Sequence, residues 1–229
     1  MLGATPMNGE LVVVDDVPAE FAERVIEAFH TRPNDHFSLA LSGGATARRC
    51  YERLADVGDT QIDWWKVNVY WGDERCVPLD HEDSNYRLGR EALLERVGAV
   101  DANFPMRCEE GADPYQLRLG ELGRFDLVHL GLGKDGHTAS LFPGSAALDA
   151  DPGRLVAMND DPLGNNPHPR MTLTFAGIAR ARTAVVTVVG EEKAAALAAV
   201  ARGEDLPAAH LRADRLVWLV DPAAASLLP

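Results

Sequence analysis

An aspartate and a histidine stand two residues apart in GLGKDGHTASLFPG (131–144), a stretch that follows the apolar run FDLVHL. A histidine can act as a general base near neutral pH and an aspartate can orient its ring, so Asp135 and His137 are candidate catalytic residues. The Ser140 hydroxyl could donate to a ligand, but a serine nucleophile is disfavoured because Ser140 lacks a G-x-S-x-G elbow. The alternative is that Asp135 and His137 only cap a short helix, HTASLF.

A glycine-rich segment indicates an anion site. SGGAT (42–46) opens a predicted helix, where glycines let the backbone approach a ligand and the helix N-terminus favours negative charge. Gly43, Gly44 and Thr46 are therefore candidate phosphate contacts. The segment matches neither G-x-x-x-x-G-K-[ST] nor G-x-G-x-x-G, so neither a nucleoside triphosphate nor a dinucleotide is indicated. A plain turn between a strand and a helix remains the alternative.

Two cationic side chains could hold the same anion. Arg75, with Asp73 in the segment WGDER, could grip a phosphate in bidentate fashion, or could form only a local ion pair at the sheet edge. Lys193 is one of three lysines in the chain and stands in the first turn of a predicted helix, where the helix dipole favours acids. A nearby anion would explain this position. The alternative is a solvated lysine paired with Glu191 or Glu192.

Strand-like and helix-like segments alternate along the chain. The predicted strands are 11–16, 37–44, 67–75, 125–133, 170–174, 183–190 and 215–221, and the predicted helices are 18–32, 45–56, 84–98 and 191–203. Near-continuous apolar strands separated by helices indicate an α/β fold with a doubly wound, mostly parallel, Rossmann-like sheet and helices on both faces. Segments 101–114 and 159–169 are predicted as loops, and residues 1–229 as a single domain.

The polar clusters are expected to meet at one edge of this sheet. They follow predicted strands at 42–46, 71–75, 131–140 and 190–193, and ligands in such folds bind beyond the carboxyl ends of the strands. Arg170, at the start of RMTLT, could line the same mouth. The residues therefore predict a small-molecule site with anion-binding groups and one candidate base. Hydrolysis or isomerisation of a phosphorylated metabolite fits such a site.

The composition of the chain restricts the classes of partner and cofactor that we expect it to bind. The formal charge of −13 argues against a nucleic-acid partner and against an anionic membrane surface. Three cysteines without a C-x-x-C motif predict reduced thiols in a cytoplasmic protein, and the N-terminus does not resemble a signal peptide. His81-Glu82-Asp83 is interpreted as an acidic loop and not as a metal site, so no metal or cofactor is expected. A monomer or small homo-oligomer is expected.

Five segments together resemble the 6-phosphogluconolactonase family, in order and spacing, over about residues 11–220. They are SGGAT (42–46), WGDERCVPLDHEDSN (71–85), GLGKDGHTASLFPG (131–144), PRMTLTFAGIARA (169–181) and VGEEKAAAL (189–197). The resemblance implies a Rossmann-like sheet shared with glucosamine-6-phosphate deaminase and ribose-5-phosphate isomerase. It also implies hydrolysis of 6-phosphoglucono-1,5-lactone, in the oxidative pentose phosphate pathway, without a required metal or nucleotide.

The resemblance also implies residue roles. The histidine of the family's DGHTASLFP motif falls on His137, which would activate water against the lactone carbonyl, and Asp135 would orient or polarise it. The family's DER arginine falls on Arg75 and its G-x-x-K lysine on Lys193, both as phosphate ligands. The family's glycine-rich loop falls on Gly43, Gly44 and Thr46. The chain departs from the family by reading SGGAT where SGGST is frequent.

Two rival functions share parts of this pattern. An aldose–ketose isomerase or deaminase of the same fold would act on glucosamine 6-phosphate, but such relatives resemble DGHIAFNEP where this chain has DGHTASLFP. A sugar-phosphate-sensing domain of a transcription regulator usually follows a helix-turn-helix segment. Here the first strand is predicted near residue 11, and the acidic charge is wrong for DNA. The hypothesis of a CoA transferase has less support than these two, because the sequence contains no matching glutamate loop.

Overall fold

The computed structural model describes residues 7–98 and 102–228. The strands are β1 (Glu10–Val13), β2 (Phe37–Leu41), β3 (Val67–Trp71), β4 (Asp73–Arg75), β5 (Asn103–Phe104), β6 (Phe125–Gly131), β7 (Val156–Asn159), β8 (Arg170–Leu173), β9 (Ala181–Val188) and β10 (Arg215–Val220). The helices are α1 (Val17–Thr31), α2 (Ala45–Gly58), α3 (Asn85–Gly89), α4 (Glu95–Val97), α5 (Ala112–Leu122), α6 (Phe175–Ile178) and α7 (Ala194–Ala201). Among these described helices, none is long and apolar enough to cross a membrane.

Seven strands form a parallel sheet in the order β1-β10-β9-β6-β2-β3-β5. From β2 the chain moves outward through β3 and β5, and it then returns to β6 on the other side of β2. The direction of winding therefore switches between β2 and β6, where such sheets place their ligands. The predicted doubly wound, mostly parallel sheet is confirmed.

The apolar pattern of the sequence explains the layers. Every residue of β2 is buried, as are the first six of β6, because a central parallel strand is covered on both faces. Helix α1 turns one stripe, including Phe21, Val25 and Phe29, into the core. Burial of each such side chain contributes about 1.5–3 kcal/mol to the free energy of unfolding. The carboxylate of Asp16 caps this helix by accepting from the Ala19 N–H at 3.0 Å.

A second sheet, antiparallel and ordered β4-β8-β7, was not predicted. The prediction of one strand over 67–75 is wrong because Gly72 separates β3 from β4. The Gly72 N–H donates to Leu41 O at 2.7 Å, while its carbonyl accepts from the Leu173 N–H at 2.8 Å. The chain thus leaves the parallel sheet at Gly72 and pairs with β8, which places Arg75 opposite Arg170.

Two predicted loops contain regular structure. Segment 101–114 includes β5 and the start of α5, while its residue 101 lies outside the described residues. Segment 159–169 begins with the last residue of β7. The helix predicted over 84–98 is present with Ser84 as its N-cap and Gly98 in a left-handed conformation (φ 69°) at its end. Its middle, Arg90–Leu94, is a π-helical turn.

The cysteine prediction is wrong. Cys76 and Cys108 form a disulfide across a Cα–Cα distance of 5.3 Å, and Cys50 is a buried free thiol. The two paired cysteines are 32 residues apart in sequence, and the odd cysteine count concealed the pair. The bond connects the residue after Arg75 to the segment that precedes α5.

Candidate active site

A cavity of about 490 Å³ opens beyond the carboxyl ends of β2 and β6, at the switch point of the sheet. Seven of the predicted site residues line it: Gly43, Gly44, Asp73, Arg75, Asp135, His137 and Lys193. Of the predicted residues that the structure describes, Thr46, Ser140 and Arg170 lie outside this lining. The remaining lining residues are Ser42, Asn85, Gly131, Leu132, Gly133, Lys134, Ala139, Asn165 and Asn166.

Asp135 and His137 form a hydrogen-bonded pair in the cavity wall. The Asp135 Oδ1 atom lies 2.6 Å from His137 Nδ1 and also accepts from the His137 backbone N–H at 3.2 Å. Burial opposes ionisation of Asp135, but the hydrogen bond and charge of His137 outweigh it and lower the pKa of the carboxyl group. An ionised aspartate at Nδ1 fixes the Nδ1–H tautomer, which leaves the Nε2 lone pair free to accept a proton.

A tight turn, and not a helix, presents this pair. The Gly133 N–H donates to the His137 carbonyl at 2.8 Å, and Gly136 has a left-handed φ of 81°. A methyl group on Gly133 would lie 2.2 Å from His137 Nδ1 and 2.5 Å from Asp135 Oδ1. The side chains of Asp135 and His137 therefore occupy the space where a side chain on Gly133 would be. The alternative of a capped helix over HTASLF is wrong, because an isolated bridge joins Thr138 to Leu141 there.

Cationic groups approach the cavity from two directions. Lys193 is half-buried, and burial lowers its pKa, although the charge of Glu192 opposes that effect. Arg75 is fixed by an Nη1 bond to the backbone oxygen of Asp83 at 2.6 Å. Arg170 pairs with Arg75 across β4 and β8, and its pKa is lowered by burial and by the neighbouring Arg75 charge. Three cationic side chains, Arg75, Lys134 and Lys193, thus line the cavity together with two carboxylates, Asp73 and Asp135.

Asp73 holds two loops together at the cavity floor. Its Oδ2 accepts from Ser140 Oγ at 2.6 Å, and its Oδ1 and backbone oxygen accept from Asn85 Nδ2 at 3.2 and 2.9 Å. Ser140 is buried, and its hydroxyl hydrogen is used in this bond to Asp73. The Asp73 contacts connect β4, the start of α3 and the turn that carries His137.

Buried Glu74 fixes the start of α3. It accepts from the backbone N–H groups of Arg75, Asn85 and Tyr86, each at 2.7 Å, and from Ser84 Oγ at 3.0 Å. Burial raises the pKa of Glu74, while the backbone donors partly oppose that rise. This side chain sets the position of Asn85, which was not among the predicted site residues.

The SGGAT loop opens α2 with its backbone groups facing the site. Gly44 is the N-cap at φ 94°, a conformation that favours glycine. Thr46 lines an adjoining cavity of about 250 Å³ together with Gly43, Gly44 and Lys193. Free N–H groups in the first turn of a 14-residue helix and a lysine thus share this space, which suits an anion.

Two asparagines of the 159–169 loop line the cavity and were missed by sequence reasoning. Asp161 organises their turn by accepting from the backbone N–H groups of Leu163 and Asn166, both at 2.9 Å, and from Asn166 Nδ2 at 2.8 Å. The sequence signal was a pair of adjacent amides in a Pro-rich loop.

Within residues 7–98 and 102–228, no group of three or more His, Cys, Asp or Glu side chains is arranged to hold a metal.

Comparison with known proteins identifies the family. The model for glucosamine-6-phosphate isomerases/6-phosphogluconolactonase matches residues 12–218. The chain belongs to this family. A Synechocystis 6-phosphogluconolactonase is 38% identical over 210 residues, which cover 83% of this chain and 84% of the relative.

Solved structures agree with that assignment. The 6-phosphogluconolactonase from Thermotoga maritima has a TM-score of 0.82 at 28% identity, covering 93% of this chain and 99% of its own. The one from Trypanosoma cruzi has a TM-score of 0.83 at 28% identity, covering 97% and 98%. The predicted lactonase branch of the glucosamine-6-phosphate isomerase/6-phosphogluconolactonase family is confirmed, and the chain is an enzyme of the hydrolase class.

Proposed function

We propose that this protein hydrolyses 6-phospho-D-glucono-1,5-lactone to 6-phospho-D-gluconate, with His137 activating the attacking water. The observation that carries the proposal is the Asp135–His137 pair at 2.6 Å in a cavity that Arg75 and Lys193 also line. We further propose that the chain acts as a single cytoplasmic domain without a cofactor.

The chemistry needs only these groups. A lactone is an activated ester, so water and one well-placed base can open it without an acyl-enzyme. His137 would take a proton from water at Nε2 while the carboxylate of Asp135 stabilises the resulting imidazolium. As the water oxygen bonds to the carbonyl carbon, negative charge gathers on the carbonyl oxygen, where backbone N–H groups of the surrounding glycine-rich loops would stabilise it. The bond from this carbon to the ring oxygen would then break, and the imidazolium of His137 would return its proton to the departing oxygen.

Phosphate binding would be separate from the reacting carbonyl. The first turn of α2, Lys193 and Arg75 supply N–H groups and positive charge, and the binding energy of the phosphate positions the lactone against His137. Arg170 would add to the positive potential from behind Arg75. Thr46, beside Lys193, would donate its hydroxyl to the same phosphate.

A coupled assay tests the activity. Glucose 6-phosphate and its dehydrogenase generate the lactone in place, and its disappearance is followed with and without this protein. The proposal predicts acceleration well above spontaneous hydrolysis and no ammonia release from glucosamine 6-phosphate. A folded protein that leaves the rate of lactone loss unchanged would refute the proposal, and ammonia release would support the deaminase instead.

A further inference from the structure

The side-chain amide of Asn85 has a hydrogen-bonding capacity that the described protein leaves unused. Asn85 is 1% exposed and lines the cavity. Its Nδ2 donates to the backbone oxygen of Asp73 at 2.9 Å and to Asp73 Oδ1 at 3.2 Å. Both partners are acceptors, so the amide nitrogen must face Asp73, and this fixes where Oδ1 lies.

The Oδ1 atom of Asn85 is a buried acceptor, and no donor within residues 7–98 and 102–228 reaches it. It lies against the SGGAT loop, because a methyl group on Gly43 would be only 1.8 Å away. Gly43 itself lines the cavity. Buried acceptors are almost always paired in folded proteins, so a persistent exception in a ligand cavity indicates a partner supplied by the ligand.

The chemistry of Oδ1 indicates the chemical class of that partner. An amide oxygen only accepts hydrogen bonds, so its partner must be a donor; a sugar hydroxyl can donate, whereas an ionised phosphate oxygen cannot. The sugar lactone of the proposed function carries ring hydroxyls in addition to its phosphate. We propose that Asn85 Oδ1 accepts a hydrogen bond from one of these hydroxyls and thereby makes the enzyme select hydroxylated over deoxy lactones.

This inference rests on the proposed function and completes a division of labour in the cavity. Lys193 and Arg75 hold the phosphate, and His137 activates water. Asn85 accepts a hydrogen bond from a hydroxyl of the sugar ring. Asn85 takes no part in bond making, so it is a specificity-determining residue. Removing its hydroxyl partner from the substrate leaves a buried acceptor unpaired, which penalises binding of the deoxy substrate.

The test compares 6-phosphogluconolactone with its three monodeoxy analogues, lacking the 2-, 3- or 4-hydroxyl. With the wild-type protein, one analogue should lose at least about tenfold in kcat/KM. Asn85→Leu removes the acceptor while keeping the side-chain volume. In this variant kcat/KM for the parent lactone should fall, and the ratio of kcat/KM between the parent lactone and the affected analogue should drop to within about threefold. Discrimination at the other two positions should persist.

Ser140→Ala is the matched control. It removes the other side-chain bond to Asp73 but leaves Asn85 Oδ1 in place. The control should lower activity on all four lactones together and preserve the discrimination. If Ser140→Ala abolished the discrimination as fully as Asn85→Leu, selectivity would belong to the Asp73 contacts and the inference would be wrong.

Wild-type kcat/KM values within twofold of one another for all four lactones would also overturn the inference, even if Asn85→Leu failed to fold. Absence of any lactone hydrolysis by the wild type is a different result, because it refutes the proposed function itself. In that case calorimetric binding of 6-phosphogluconate and its deoxy forms decides the inference. Equal affinities would overturn it, and a loss confined to one deoxy form would support it.

Discussion

At the scale of single residues, the carboxylate of Asp135 lies 2.6 Å from Nδ1 of His137. Because the pKa of Asp135 is lowered, this carboxyl stays ionised throughout the neutral range, and its contribution to stability is lost only as the pH falls through that lowered value. Mild acidification should therefore leave the carboxylate of Asp135 ionised beside His137.

Asp135→Asn tests this coupling. The amide cannot stabilise an imidazolium, so kcat should fall about 10²- to 10⁴-fold. Steady-state kinetics of both proteins with the lactone measure this change in kcat. An unchanged kcat in Asp135→Asn would show that the charge of Asp135 takes no part in the reaction.

The small number of lysines provides an internal control for phosphate binding. Lys193→Met should raise KM about tenfold or more with little change in kcat, because it removes a charge remote from the carbonyl. Lys66→Met is the comparison, since Lys66 bonds to exposed Asp35 at 2.7 Å, away from the cavity. In steady-state kinetics, the Lys66 variant should keep the kcat and KM of the wild type. A kcat defect without a KM defect in Lys193→Met would assign that lysine to the chemical step.

At the scale of elements, the turn after β6 can hold Asp135 and His137, the proposed catalytic pair, in this position only because Gly133 has no side chain. Gly133→Ala should displace His137 or Asp135 and lower kcat by at least about tenfold. Gly153→Ala is the control, because a methyl group there meets nothing within 4 Å. Activity and thermal unfolding of both variants are measured together. Full activity in Gly133→Ala would show that the pair tolerates displacement or that it is not catalytic.

Local spacing explains what sequence reasoning found at this scale. Asp135 and His137 are two residues apart on one turn, so a short motif exposes the pair. Asn85 was not predicted as a site residue because its proposed role depends on Asp73, twelve residues away, and on Gly43, in another loop. The antiparallel sheet escaped because β4 has three residues and its pairing with β8 spans about a hundred positions, which leaves no periodic signal.

At the scale of the whole molecule, alternating apolar strands and helices were enough to predict the main sheet and its site-bearing edge. The disulfide could not be predicted from the sequence, because its two cysteines come together only where β4 leaves the parallel sheet. Cys76 directly follows Arg75, so the bond anchors a segment that lines the cavity. Its closed loop restricts the unfolded chain and should therefore stabilise the fold.

Reduction should lower the free energy of unfolding by roughly 2–4 kcal/mol. Denaturant melts with and without dithiothreitol measure the change. The double variant Cys76→Ser/Cys108→Ser should match the reduced wild type and show no response to the reductant. Equal stability of oxidised and reduced wild type would show that the bond is absent or contributes nothing in solution.

In the proposed function, His137 activates water while Arg75 and Lys193 hold the phosphate. Measurements of kcat for the lactone and of Kd for 6-phosphogluconate, in the wild type and in His137→Ala, separate these two roles. We expect kcat to fall at least about 10²-fold while Kd changes less than about threefold. An unchanged kcat, or an equal loss of turnover and affinity, would refute this division of roles.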